Sequence, residues 1–328
     1  MKITSAHGGG GEMTAGLIRD LFAKHLSNDI LDTMEDAALL DLPAGRVAFT
    51  TDSFVVTPLF FPGGDIGRLA VCGTVNDLLM RGARPLYLSA GFILEEGLAT
   101  EALERAVVSM KLAADEAGVA IVAGDTKVIE GRGGIYINTS GIGTLAHARD
   151  ISASKAQDGD AVIISGDMGD HHACLVSRRM GIENAIQSDC APLTEMVGRL
   201  LEAGIEIHTM RDITRGGLAT VLNEIAAASR VGIALSDDPL ASREVLGLCD
   251  ILGLDPLYMG NEGKLALVLP EGEAARALEI IKGSKYGARA RVAGRVFTAD
   301  RPAVVMPTRA GGTRVIGPLV GEGLPRIC

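Results

Sequence analysis

The 328-residue sequence has no tryptophan, and aromatic residues make up only 3% of it. With so few large rings, the core must be assembled from Ala, Val, Ile and Leu. Cysteine is scarce too: Cys72, Cys174, Cys190, Cys249 and Cys328 are dispersed, with no CxxC pair. An odd, scattered set excludes a disulfide framework and a cysteine-based zinc site. The first four sit in apolar or helical surroundings and read as small core residues. Positive charge is in deficit, with 31 Lys and Arg against 41 Asp and Glu and a formal net charge of −10. That balance repels phosphodiester backbones and argues against non-specific nucleic-acid binding. No run reaches the roughly 18 to 20 apolar residues that span a bilayer. Residues 1–12, MKITSAHGGGGE, lack the apolar stretch of a secretory signal. The chain is therefore expected to stay in the cytoplasm.

What is present is an ordinary folded composition, 47% hydrophobic and 22% charged. The length exceeds what one core usually serves, so two domains are expected. Apolar spacing predicts helices over 16–27, 66–82, 100–118, 169–180, 191–203, 215–229 and 272–283. Thr100 is placed to cap the third, and Gly118 to end it. Strands are predicted over 46–57, 85–94, 119–129, 134–145, 161–166, 264–270 and 289–298. Residues 1–15 are too glycine-rich for a regular element. The polar stretch 146–160 marks a domain boundary, giving domains over 1–148 and 149–308. Mixed elements without regular βαβ spacing fit α/β (α+β) sandwich domains better than a Rossmann fold. Residues 309–328, with five Gly and two Pro, read as a mobile tail whose last 10 residues reach roughly 30 Å when extended.

Several groups could carry chemistry. HGGGGE at 7–12 places Gly8, Gly9, Gly10 and Gly11 in a row. Backbone N–H groups in such a turn can converge on phosphate oxygens because no Cβ blocks the approach. The segment matches neither the Walker nor the Rossmann pattern, and a flexible leader is the plain alternative. Asp36, Asp52, Asp77, Asp125 and Asp212 each interrupt or border an apolar stretch. A carboxylate near a core is costly unless paired or bound to metal, and Mg²⁺ takes carboxylates together with phosphate oxygens. Capping explains any one of them; the set favours metal. Lys127, just after Gly-Asp-Thr, can neutralise phosphate or act as a base if its pKa is lowered. Glu262, in GNEGK at 260–264, sits in a tight turn that can aim a carboxylate. His171-His172 reads as an exposed helix start. Cys328 ends the sequence in PRIC. Its thiolate could serve as a nucleophile or carrier, whereas a CaaX lipid anchor needs three residues after Cys.

Together these motifs resemble the HypE family of hydrogenase maturation factors. AHGGGG, EDAA, TTDSFVV, VNDLLMRGARPLYLS, AGDTKV, MRDITRGGLA, GNEGK and the terminal PRIC occur in order over essentially the whole chain. The ATP-site motifs also resemble the wider superfamily of aminoimidazole ribonucleotide synthetase, selenophosphate synthetase and thiamine-monophosphate kinase; the terminal Cys sets HypE apart. The resemblance implies two α/β domains, and a homodimer whose N-terminal strands form a barrel. It implies ATP and Mg²⁺ bound by the Gly-rich loop and Asp residues: Asp52, Asp77, Asp125 and Lys127 at the nucleotide, with Asp36, Asp52, Asp77 and Asp212 at the metal. Cys328, Lys127 and Glu262 fall at catalytic positions. The implied reaction starts with a carbamoyl group that the partner HypF places on Cys328. ATP-dependent loss of water then gives a thiocyanate, and its cyanide passes to iron on a HypC–HypD scaffold for the nickel–iron cofactor. Glu35 stands where many relatives have a second Asp, and Gly10 where many have Ser. Two other readings remain: a small-molecule ATP-dependent synthetase or kinase of the superfamily, and a non-catalytic docking module that presents its tail.

Overall fold

The computed structural model describes residues 2–9, 11–34, 37–145, 151–236, 240–308 and 311–320. Two sheets organise the chain. The first has four strands, β1 (Val47–Phe54), β4 (Arg84–Glu95), β5 (Ala120–Ile129) and β6 (Ile135–Thr144), in the order β1-β6-β4-β5. A small ribbon, β2 (Phe60–Phe61) and β3 (Gly64–Asp65), precedes its main helix. The second sheet has seven strands: β7 (Ala161–Ile164), β8 (Thr209–Asp212), β9 (Gly232–Leu235), β10 (Leu265–Leu269), β11 (Arg291–Phe297), β12 (Ala303–Pro307) and β13 (Thr313–Ile316). Their order is β13-β12-β9-β11-β7-β10-β8.

The helices are α1 (Glu12–Leu17), α2 (Lys24–Leu26), α3 (Ile66–Met80), α4 (Thr100–Ala117), α5 (Asp170–Met180), α6 (Thr194–Glu202), α7 (Gly217–Ser229), α8 (Arg243–Leu252) and α9 (Glu271–Lys282). The central strands of the second sheet are buried on both faces, and their alternation sorts them into two cores. Ile163, Leu265 and Leu267 join a core that runs on into the first sheet. Val162, Ile164, Ala266 and Val268 join a second core with α7. This is the period-2 rule applied to a doubly covered sheet.

Helix α3 sits at the seam, packed against β1, β6, β8, α4 and α6. Every residue of it is buried except Arg68 and Asp77, so an all-round apolar helix fills the space between the two sheets. Asp65 fixes its start, accepting from the N–H groups of Gly67 at 2.8 Å and Arg68 at 3.0 Å.

Several expectations need correction. The Gly-rich start is not irregular: residues 5–8 form a 3₁₀ turn, and α1 begins at Glu12 and continues through a π turn over Ile18–Ala23 into α2. Thr100 opens α4 rather than capping it, with Ala99 at the cap; Gly118 does end it, at φ 70°. The stretch expected to be a loose tail first contributes β13, paired with β12 from Thr313↔Pro307 to Ile316↔Val304. Val315 and Ile316 supply the β-branched pair that the glycine count obscured. His171 and His172 are buried, not exposed. Burial holds His171 down near pKa 4, and its Nδ1 lies 2.7 Å from Ser188 Oγ.

Candidate functional site

The site begins where β1, α3 and β8 converge. Asp52 projects from β1 toward α3, one turn of which carries Asp77. The two carboxyl groups raise each other's energy when both are charged, and Thr50 Oγ1 donates to Asp77 Oδ2 at 2.8 Å. Burial, and next the charge of Asp77, push Asp52 up to about 6; Arg215 pulls in the opposite direction. Asp212, the last residue of β8, rises to about 7, again through burial and then Asp77. Like charges this close disfavour joint ionisation unless a proton or cation lies between them.

Glu262 enters from the loop before β10. Its backbone N–H donates to Asp189 Oδ1 at 3.0 Å, and its carbonyl accepts from Ala191 N at 3.3 Å. Burial, then the charges of Asp189 and Asp212, hold its carboxyl well above the usual carboxylate range. Asn261 beside it is 1% exposed. Its side chain donates to the carbonyls of Ile213 and Met259, at 3.0 and 3.2 Å, and accepts from Gly169 N at 2.8 Å. The GNEGK turn is thereby tied to the residue that follows Asp212.

A second group lies elsewhere on the first sheet. Lys127 Nζ is 3.1 Å from Asp125 on β5, with side chains 67% and 70% exposed. That contact lowers the Asp125 pKa. A Cβ on Gly8 would come within 2.9 Å of Val128, so only glycine lets the HGGGG turn lie this close to β5. Gly9 follows the turn, and Gly11 occupies the cap position of α1. Between α1–α2 and the sheet is a cavity of about 260 Å³, whose lining includes Ile18, Phe22, Leu31, Phe92 and Asp125. It is mostly apolar with a carboxylate, as cofactor pockets commonly are.

The expected residues therefore form two groups rather than one. Asp52, Asp77, Asp212 and Glu262 gather at the seam, and the Gly turn, Asp125 and Lys127 gather on β5. β1 and β5 are opposite edges of the four-stranded sheet, three strand spacings or roughly 14 Å apart. Among the described residues, no three Asp, Glu, His or Cys side chains form a ready-made metal cluster. The expected set of converging Asp residues is thus reduced to Asp52 and Asp77 acting on one another, with Asp212 influenced by both. The charge excess at that pair still suits a hard divalent cation. Asp36, Glu35, Gly10 and Cys328 lie outside the described residues. Sequence reasoning missed Arg215, Asp189, Asn76 and Asn261. The Asn residues adjoin Asp77 and Glu262, so adjacency was the available signal.

Comparison with known proteins identifies the family. Residues 34–145 match the AIR synthase related protein N-terminal domain, and 157–307 match the C-terminal domain. The carbamoyl dehydratase HypE of Rhodobacter capsulatus is 47% identical over 336 residues, covering 100% of this chain and 98% of that protein. A crystal structure of hydrogenase maturation protein HypE in complex with ATP superposes with TM-score 0.95, at 48% identity and 99% coverage of both chains. A chain from a HypE–HypF complex has TM-score 0.80 and 46% identity, over 92% of this chain and 99% of that one. No helix among the described residues is long and apolar enough to cross a membrane. The chain belongs to the HypE family of hydrogenase maturation proteins, built from the two AIR synthase related domains.

Proposed function

We propose that the protein is an ATP-dependent carbamoyl dehydratase acting on an S-carbamoyl group carried by Cys328. The observation that carries this reading is 47% identity over the whole chain to a carbamoyl dehydratase, joined to a half-buried carboxyl pair and a raised Glu262 at one seam. The carbamoyl oxygen attacks the γ-phosphorus of ATP and ADP leaves. The C–O bond then breaks with the oxygen departing in phosphate, and the nitrogen loses its two protons as C≡N forms. Thiocarbamate and ATP thus become thiocyanate, ADP and phosphate, which accounts for the water removed.

Each residue has a defined task. The amides of Gly8, Gly9, Gly10 and Gly11 bind phosphate oxygens. Lys127 offsets phosphate charge while Asp125 orients it. The apolar cavity beside Asp125 takes the nucleoside. Asp52, Asp77 and Asp212, with Asp36, would hold Mg²⁺, which when bound neutralises charge on the phosphates. Glu262 is the proton acceptor. Burial and the neighbouring carboxylates favour its protonated form, so release of that proton is the step they oppose. Neutralising Asp52 and Asp212 favours that release, because their charges help to hold the proton on Glu262.

The split between the seam group and the β5 group supports a homodimer in which a second copy completes the site. One face of the first sheet is open, with Phe49 67%, Ile93 44% and Ile129 44% exposed. HypF supplies the carbamoyl group, HypC–HypD takes the cyanide for the nickel–iron centre, and the setting is cytoplasmic. The segment that follows β13 and ends in Cys328 acts as the carrier arm. The test is intact mass after incubation with HypF, carbamoyl phosphate and ATP·Mg²⁺. One carbamoyl group should be gained and one water then lost, and neither change should occur in Cys328→Ala. If Cys328→Ala behaves like the parent chain, or if the parent never loses water, the reading is wrong.

A further inference from the structure

Asn76 immediately precedes Asp77 on α3, yet it points the other way, across the seam. It is 2% exposed. Its Nδ2 donates to the carbonyl of Ala191 at 3.1 Å, and its Oδ1 accepts from Leu193 N at 2.9 Å. Eight residues earlier on the same helix, Arg68 Nε donates to the carbonyl of Cys190 at 2.8 Å. Two α3 side chains thus grip the backbone of 190–193 from the first sheet's side. That same segment grips Glu262: Ala191 N donates to its carbonyl, and Asp189 Oδ1 accepts from its N–H. A path of buried and half-buried hydrogen bonds runs from α3 through 189–193 to the Glu262 backbone.

We infer that Asn76 is a positioning residue that sets Glu262 at a fixed distance from Asp77. This rests on the dehydratase reading, in which Asp77 and Glu262 serve one reaction. The physical reason is that Ala191 uses both of its backbone groups here, its carbonyl on Asn76 and its N–H on Glu262. Movement of α3 relative to the seam therefore moves both together. Removing the amide leaves a buried carbonyl and a buried N–H without this partner, and the segment that carries Glu262 loosens. A misplacement of about 1 Å at a reacting group costs on the order of 100-fold in rate.

The experiment uses the full-length chain, carbamoylated by HypF, in single turnover with ATP·Mg²⁺. Asn76→Ala should slow water loss roughly 10- to 100-fold while leaving the half-saturating ATP concentration unchanged. In a Glu262→Gln background it should add almost nothing, because both changes act through one group. Hydrogen exchange at the Ala191 and Glu262 amides should rise at least about tenfold, with α4 unchanged. Asn76→Asp keeps the acceptor for Leu193 and loses the donor to Ala191, so it carries the same test if the Ala variant does not fold. Losses that multiply in the double variant, or exchange unchanged at Ala191 and Glu262, would overturn the inference. Failure of the dehydratase reading looks different: no variant turns over, or Glu262→Gln matches the parent, and the exchange result then decides the positioning claim alone.

Discussion

Asp170 shows how a single carboxyl records its surroundings. It is the first residue of α5, and it is pushed up to about 7 by burial and then by Asp189. A free aspartate titrates near about 3.9. The shift is worth about 4 kcal/mol at full burial, and roughly 1 to 2 kcal/mol after allowance for partial exposure. The helix N-terminus favours the charged form by up to about 2 kcal/mol, and the net upward shift shows that burial wins. Between about pH 4 and pH 7 the folded chain keeps a proton that the unfolded chain has released. Stability therefore falls as pH rises through that window, and the penalty is complete above it. Asp170→Asn is predicted to raise the melting temperature at pH 8 by about 2 °C or more, with the gain shrinking at pH 5. Thermal melts at the two pH values check this. An equal shift at both would contradict the assignment. The seam carboxyls follow the same logic, since Asp52 at about 6 and Asp212 at about 7 carry charge that the surrounding protein does not balance.

At the level of elements, long periodic segments were readable, and of the short strands only those with an unbroken apolar run, such as β7 and β10, were. Helix α4 and strands β5 and β6 fall close to their expected spans because their patterns run for ten residues or more. β8, β9 and β13 have four residues each, too few to show a period, and the partners of β8 and β9 are distant in sequence. β8 still matters most of these, because it delivers Asp212 to the seam. Helix α8 was hidden behind its flanking polar residues, although Ser242 caps it by accepting from Val245 N at 3.2 Å. The candidate residues could be picked out individually, since an acidic residue inside an apolar run is conspicuous. Their grouping could not be, because it depends on the strand order β1-β6-β4-β5, which separates Asp52 from Asp125 despite similar local motifs. The buried amides of Asn76 and Asn261 were equally invisible, since only tertiary partners distinguish them from surface Asn.

For the whole molecule, the question is what covers the open face of the first sheet. Phe49 stands opposite Ile142, and Ile142 opposite Tyr87, in one cross-strand row. A ring 67% exposed on an edge strand, in a row with other hydrophobic residues, is unusual for a surface that meets only water. If a second copy covers it, Phe49→Glu should weaken the dimer about 30-fold or more. Light scattering across a dilution series reads this directly, and an unchanged dimer would remove the face from the interface. The variant should also lose turnover, because the seam group and the β5 group would no longer meet.

The central claim is that ATP drives removal of water from a carbamoyl group on Cys328. Carbamoyl phosphate labelled with ¹⁸O in its carbonyl, given with HypF, unlabelled ATP and Mg²⁺, follows that oxygen. The account predicts the label in inorganic phosphate, one atom for each thiocyanate formed on Cys328. Label released into bulk water, or retained on a Cys328 that never becomes thiocyanate, would contradict it.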